Sequence, residues 1–364
     1  MVIFSEVVTE KIEYGNSETV DDITVVPLRI KSGFNGKTLV DATTSKIAEI
    51  LESESVNVLR LKLKKASSPI LLPFLQVVSG GKQDRMLIRP MVIPAAKTSG
   101  IEHSIPVNCI ERGRWTYSRQ STGENTTAQF TALSGVRMAQ SIGAMNLEAS
   151  QGVTWSSISS YIKGRGLDSL VAPSESFIEA EAAVQDVSKR VEKKEKKSAL
   201  TEAARALIER SDRLMEGQTG LALIIQGVLI GIELYGSSEI WKSQATPVKQ
   251  SFLSEVDLSS ISKEEQRTGV SGLEAVLKGL KSIDFVQKDD NQFGKYFVDK
   301  VNAEYSSLAL QYQGALAEFY LGRKSKDFVK IMQDADYAVQ NVVQRASTTE
   351  TGEESEIEQR QEFH

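Results

Sequence analysis

From Gly220 to Tyr235 two apolar runs flank the pair Gln226-Gly227, and no other feature of the sequence narrows the fold as much. Two β-type runs separated by such a pair have the pattern of a hairpin. The same stretch, Leu221 to Ile232, is the most apolar in the chain. It is too short for the roughly 20 residues of a membrane-spanning helix and is interrupted by Gln226 and Gly227. No membrane segment is expected, and this part of the chain enters a sheet.

A second strand-rich zone covers Val2 to Arg119, where short β-type runs alternate with turn residues. Ile23 to Ile30, Val56 to Leu63, Ile70 to Val78 and Met86 to Ile93 are the clearest. Met1 to Thr9 has neither a basic start nor a long apolar run, so it reads as the first strand rather than a signal peptide. One helix is expected inside this zone, because Ile47, Ile50 and Leu51 follow the Thr-rich start at Thr43 with helical spacing.

Beyond it the pattern turns helical or mixed from Thr131 to Tyr161, and Gly164, Gly166 and Pro173 then supply a stop. Ser174 suits an N-cap, and Phe177, Val184 and Val191 recur every seven residues with Ala180 and Val187 between them. The stripe is narrow, and the run Lys189 to Lys197 that follows carries both signs of charge. Ser174 to Leu214 is therefore expected to form a helical arm, its second helix from Ala199 to Leu214, packed loosely on the body or projecting from it. Helices are expected at Ser238 to Val256 and Lys263 to Leu280, strands from Phe293 to Leu321, and a last amphipathic helix from Ser325 to Arg345.

The expected fold class is α+β: a β-rich lobe (1–170), a charged helical arm (171–217), a mixed lobe (218–345) and a disordered acidic tail (346–364). A chain of 364 residues exceeds the size at which single cores usually stop growing, so one large domain with a big insertion or two lobes are expected, and length alone does not choose between them. With 48 acidic and 43 basic residues, the net charge of -5 gives no general attraction to nucleic acid or to an anionic membrane. Cys109 is the single cysteine, which rules out an internal disulfide and a cysteine-cage metal site and fits a reducing, cytoplasmic compartment.

Much familiar chemistry is missing. The two histidines are His103 and the terminal His364, so a multi-histidine metal centre cannot form. No phosphate-binding P-loop and no dinucleotide fingerprint occurs, and no motif identifies a cofactor. His103, in the polar connection Thr98 to Ser104, reads as a surface residue, and Cys109 as a core residue rather than a nucleophile.

Two polar stretches remain. In Gly80-Gly81-Lys82-Gln83-Asp84-Arg85 the glycines can turn successive N–H groups inward as an anion nest, charged by Lys82 and Arg85. General turn chemistry favours reading the same residues as an ordinary solvated turn. In Asn108-Cys109-Ile110-Glu111-Arg112-Gly113-Arg114-Trp115, extended backbone puts Val107, Cys109, Glu111 and Trp115 on one face and Asn108, Arg112 and Arg114 on the other. A glutamate between a cysteine and a tryptophan either pairs with a buried arginine or has its pKa raised by desolvation. Alternatively, a bulge at Gly113 swings it to the rim.

These stretches, with Gln151 and Trp155, resemble a family named for its association with ADP-ribosylglycohydrolases and rhodanese-type phosphatases. The resemblance extends through the Leu221 to Tyr235 hairpin and the Trp241 helix, with the charged arm and the acidic tail as departures. It implies a link to NAD or ADP-ribose metabolism and carries no catalytic residues over. The primary reading is a non-catalytic binding or accessory protein. In that reading Lys82, Gln83, Asp84, Arg85, Asn108, Arg114 and Trp115 recognise a nucleotide-like or other anionic ligand, and the arm offers a surface to a protein partner. The alternative is a carboxylate-dependent hydrolase or transferase acting on a nucleotide-like phosphate, with Glu111 as acid or base. Both require the two polar stretches to be neighbours in space.

Overall fold

A computed structural model describes residues 2–31, 33–53, 55–64, 66–79, 83–110, 131–137, 140–164, 202–258 and 272–324. It is an α+β fold whose described strands form sheets of ten, six and three. The largest runs in the order Val2–Ile3, Asp284–Asn291, Gly294–Asp299, Tyr305–Tyr312, Ala315–Arg323, Val228–Tyr235, Gly220–Ile225, Ile23–Ile30, Ile12–Tyr14. Glu18–Val20 also pairs with Ile23–Ile30.

The Gly220–Tyr235 hairpin lies in this sheet. Gln226 and Gly227 have φ of 51° and 75°, the positive values that a two-residue turn of this hand requires at both central positions. Ile23–Ile30 covers the hairpin's free edge in antiparallel register, Ile23 opposite Ile225 and Leu28 opposite Gly220. The apolar run is continuous because both faces of these strands are buried. Val25, Leu221, Leu223 and Leu308 face one core. Val26, Ala222, Ile224 and Phe319 face a second core, closed by Ala275, Val276 and Leu280 of the helix Gly272–Lys281.

The first core is shared with helices Gln140–Asn146, Gln151–Gly164, Glu202–Arg210 and Ser238–Leu258, and with one face of the six-stranded sheet, where Val77 and Met86 point inward. That sheet runs Thr131–Arg137, Gln76–Ser79, Arg85–Leu87, Ile101–Cys109, Val58–Leu63, Ala48–Leu51. Its other face carries Val78, Leu87 and Val107 into a third core with the helix Leu39–Thr44 and the sheet Met91–Ile93, Ile70–Leu72, Lys37–Thr38.

Several expectations are corrected. The helix expected from Thr43 to Leu51 is instead a helix at Leu39–Thr44 followed by a strand at Ala48–Leu51. Thr38 caps that helix, its hydroxyl accepting from Asp41 N–H, and Lys46 at φ 56° turns the chain so that Ala48 and Ile50 alternate inward. The first strand ends at Ile3 and gives way to a one-turn helix, Phe4–Val7. The run Ile70 to Val78 is split by a turn at Pro73–Leu75, and Met86 to Ile93 by Ile88–Pro90, so that each contributes to two sheets. Asp284–Asn291, absent from the expected elements, is a strand.

The helix Glu202–Arg210, at the end of the expected arm, is docked: Ala204, Leu207 and Ile208 sit in the first core. Trp241 Nε1 donates to Asp212 O, and Lys249 Nζ reaches both Glu209 O and the Asp212 carboxylate. The rest of the arm, the helix from Ser325 to Arg345 and the acidic tail lie outside the described residues. No helix among the described residues is long and apolar enough to cross a membrane.

Candidate functional site

The two polar stretches are neighbours wherever both are described. Arg85–Leu87 and Ile101–Cys109 are adjacent antiparallel strands with Arg85 opposite Cys109 and Met86 opposite Asn108. Ile110 N–H donates to Asp84 O at 3.1 Å, continuing the ladder. Alternation then sends Arg85, Leu87, Val107 and Cys109 to one face of the sheet and Met86 and Asn108 to the other. Arg85 and Asn108 are thus adjacent along the sheet and opposed across it.

Arg85 is fully buried. Its Nη1 donates to Gln83 Oε1 at 3.1 Å, and its Nη2 lies 3.6 Å from Glu52 Oε1. A guanidinium is tolerated inside a protein only beside a carboxylate or several acceptors, and Glu52, just past the strand Ala48–Leu51, supplies the charge. Gln83 and Asp84 are also buried. Their burial shows that the described end of this stretch is folded into the sheet.

On the other face Asn108 Nδ2 donates to Thr154 Oγ1 at 2.8 Å and to Ala149 O at 2.9 Å. Gln151 Oε1 accepts from Cys109 N at 2.8 Å while its Nε2 donates to Cys109 O at 2.6 Å. One primary amide offers a donor and an acceptor side by side and so satisfies both backbone groups of one strand residue. It does this just past the last backbone bond along that edge, Val107 N–H to Asn57 O at 3.0 Å. Gln151 takes the place of a missing strand.

Lys82, Glu111, Arg114 and Trp115 lie outside the described residues. Cys109 is a buried free thiol, as a core residue should be. His103 is not in a loop: it sits in the strand Ile101–Cys109 opposite Leu61, its ring 5.6 Å from Phe293 and its pKa lowered by desolvation. Trp155 is half-buried.

Sequence reasoning missed a second polar assembly, in the first core beneath the ten-stranded sheet. Glu233 and Glu318 are fully buried on neighbouring strands, Glu233 opposite Tyr320 and Glu318 opposite Tyr235. Glu318 accepts from Phe74 N at 3.1 and 3.2 Å, holding the turn in which Leu75 has a φ of 64°. Gln140 Nε2 donates to Glu233 Oε1 at 2.8 Å and to Ser251 Oγ at 3.1 Å, and Tyr320 OH donates to Gln140 O at 2.7 Å. Glu255 Oε1 accepts from Ser141 N at 2.6 Å in the first turn of its helix, where negative charge is favoured. Among the described residues Gln140 Oε1 and Tyr296 OH are buried and have no hydrogen-bond partner, and desolvation raises the Tyr296 pKa well above the usual phenol value. A single glutamate before an aromatic in each of two apolar strands, Glu233-Leu234-Tyr235 and Glu318-Phe319-Tyr320, is the signal that could have revealed the set.

Chemically, the first assembly is a rigid frame: an ion pair on one face, an amide clamp on the other. The second anchors backbone N–H groups of one layer on carboxylates of the next. Among the described residues no group of three or more histidine, cysteine or acidic side chains could hold a metal ion.

A family model described as the ARG and Rhodanese-Phosphatase-superfamily-associated Protein domain matches residues 11–316. The match runs across the charged arm, which the sequence reading had set apart as a departure, and stops short of the acidic tail. No curated protein and no solved structure matches the chain significantly.

Proposed function

Because the chain belongs to the family of ARG and Rhodanese-Phosphatase-superfamily-associated Protein domains, we propose that it is a non-catalytic accessory protein linked to NAD or ADP-ribose metabolism that recognises an anionic, nucleotide-like ligand. One observation supports this reading above the others. Gln83, Asp84, Arg85 and Asn108 are each no more than 5% exposed, and the bonds they make stay within the protein: Arg85 to Gln83 and Glu52, the Asp84 carbonyl to Ile110, and Asn108 to Ala149 and Thr154. Residues used in this way fix a frame and do not exchange protons with a substrate.

The frame has a direction. Arg85–Leu87 begins and Ile101–Cys109 ends at the same end of an antiparallel pair, so the sequence continues from that end with Lys82 before Gln83 and Glu111 after Ile110. In this proposal Lys82, Arg114 and Trp115 meet the ligand, and the Arg85–Glu52 pair and the Gln151 clamp hold their anchor points still.

Calorimetric titration of the full chain with ADP-ribose, NAD and inorganic pyrophosphate tests it. Saturable binding that weakens about tenfold or more in Lys82→Ala and Arg114→Ala, as expected for loss of a charged hydrogen bond, supports the reading. The absence of binding to all three compounds removes it. Turnover of an ADP-ribosylated or phosphorylated substrate that vanishes in Glu111→Gln, with binding retained, replaces it by the carboxylate-dependent enzyme.

A further inference from the structure

A polar hollow of about 830 Å³ opens between the loop 35–37, the helix Leu39–Thr44, the loop 67–69 and the first turn of the helix Ser238–Leu258. Asn35, Lys37, Asp41, Thr44, Ser68 and Glu239 are on its walls. We propose that it binds a neutral polyhydroxylated ligand of the pentose or hexose class, a site separate from the signature strands and independent of the function proposed for them.

The walls are held in place. Lys37 N–H donates to Pro69 O at 3.0 Å, and Lys37–Thr38 pairs in parallel with Ile70–Leu72, so both loops spring from one small sheet. Thr38 Oγ1 lies 3.0 Å from Ser243 Oγ, which ties the start of one helix to the other. Phe34 N–H donates to Leu316 O at 2.8 Å and fastens the near loop to the ten-stranded sheet. A hollow with fixed walls needs little ordering on binding, and its size falls within the range of small-molecule sites.

The lining selects the ligand. Among the described residues the side chains of Asn35, Lys37, Thr44 and Ser68 make no hydrogen bond or ion pair within the protein, so a donor-and-acceptor set faces the hollow unused. Among the described residues Lys37 is the one cation on a wall that also carries the carboxylates of Asp41 and Glu239. That balance is unfavourable to a phosphate or a carboxylate. Hydroxyl groups on adjacent carbons, each able to donate and to accept, match interleaved amide, hydroxyl, carboxylate and ammonium groups.

Saturation-transfer NMR on the full chain with D-ribose and D-glucose is the test. Transfer to at least one sugar is expected. It should disappear in Ser68→Trp and in Thr44→Trp, which fill the hollow from opposite walls and back each other up if one of them folds poorly. Lys37→Met should weaken binding by about tenfold, the cost of one charged hydrogen bond, and ribose 5-phosphate should bind less well than ribose. No transfer to either sugar, transfer that survives in a folded tryptophan variant, or a preference for the phosphorylated sugar overturns the proposal.

Discussion

The clamp at the end of Ile101–Cys109 and the carboxylate layer beneath the ten-stranded sheet both take polar groups out of water, by opposite means. The clamp is neutral on its helix side: Asn108 and Gln151 satisfy backbone and hydroxyl partners with amides, which lose little on leaving water once fully hydrogen-bonded. The layer uses glutamates that hold N–H groups across the interface, Glu318 to Phe74 and Glu255 to Ser141. Charge-assisted bonds of that kind are roughly twice as strong, and a buried network left half-satisfied is correspondingly costly. An amide clamp positions a strand end. A carboxylate layer makes two sheets depend on each other.

Glu318→Ala should have the largest effect, because it leaves the Phe74 N–H buried without its acceptor, opens space beside Tyr320 and releases the turn at Leu75. A loss of about 3–5 kcal/mol in urea unfolding is expected, the range for breaking a buried charged network. A loss under about 1 kcal/mol would mean that the layer is no more binding than an ordinary hydrogen bond.

Asn108→Ala and Gln151→Ala come next, at about 1–3 kcal/mol each: the first takes a donor from the buried Thr154 hydroxyl and the Ala149 carbonyl, and the second leaves both backbone groups of the buried Cys109 unsatisfied. The two residues share one helix turn and one strand end, so the double variant should lose less than the two single losses added together. Strict additivity in a double-mutant cycle would dissolve the clamp into two unrelated contacts.

At the surface Glu13 offers a carboxylate with opposite surroundings. Hydrogen bonds from Lys31 and then Arg29 lower its pKa from 4.5 to about 2. The folded state therefore gains from its charge above about pH 4.5 and loses that gain as the pH falls toward 2. Thermal melts of wild type and Glu13→Gln should converge across this window, by a small amount because the group is solvated. Parallel curves from pH 5 to pH 2 would contradict the assignment.

The smallest effect should have the opposite sign. Tyr296→Phe removes a buried hydroxyl that has no partner among the described residues, so stability should stay level or rise by up to about 1 kcal/mol in the same urea assay. A clear loss would show that the hydroxyl contributes to the layer.

Strands were legible wherever composition and burial agree. Ile23–Ile30 and the Gly220–Tyr235 hairpin read directly because both of their faces are apolar. Asp284–Asn291 did not, because it lies near the sheet edge with most of its side chains in water, so its letters are those of a loop. The segment 39–51 was misread because Ile47 and Ile50 fit either period, and the turn at Lys46, which decides between them, leaves no mark in composition. Of the candidate site, the adjacency of the described parts of the two stretches was legible because one strand-rich zone holds both and each concentrates polar groups. The partner of Arg85 was not, since Glu52 follows the strand Ala48–Leu51, which two other strands separate from Arg85–Leu87 in the sheet order. Glu233 and Glu318 were passed over because a lone acid in an apolar run has no meaning until the facing helix is known.

The ten-stranded sheet joins Ile23–Ile30 to Gly220–Ile225, with Ile23 opposite Ile225. At synthesis rates of about 5–20 residues per second, the first of these strands waits roughly 10–40 s for the second to be made. Throughout that interval a run of eight residues rich in valine and isoleucine has an unpaired edge and two uncovered faces. The order of translation thus makes the nascent chain most exposed to chaperones, and to misassociation with its own copies, long before its signature strands have a finished body to rest on.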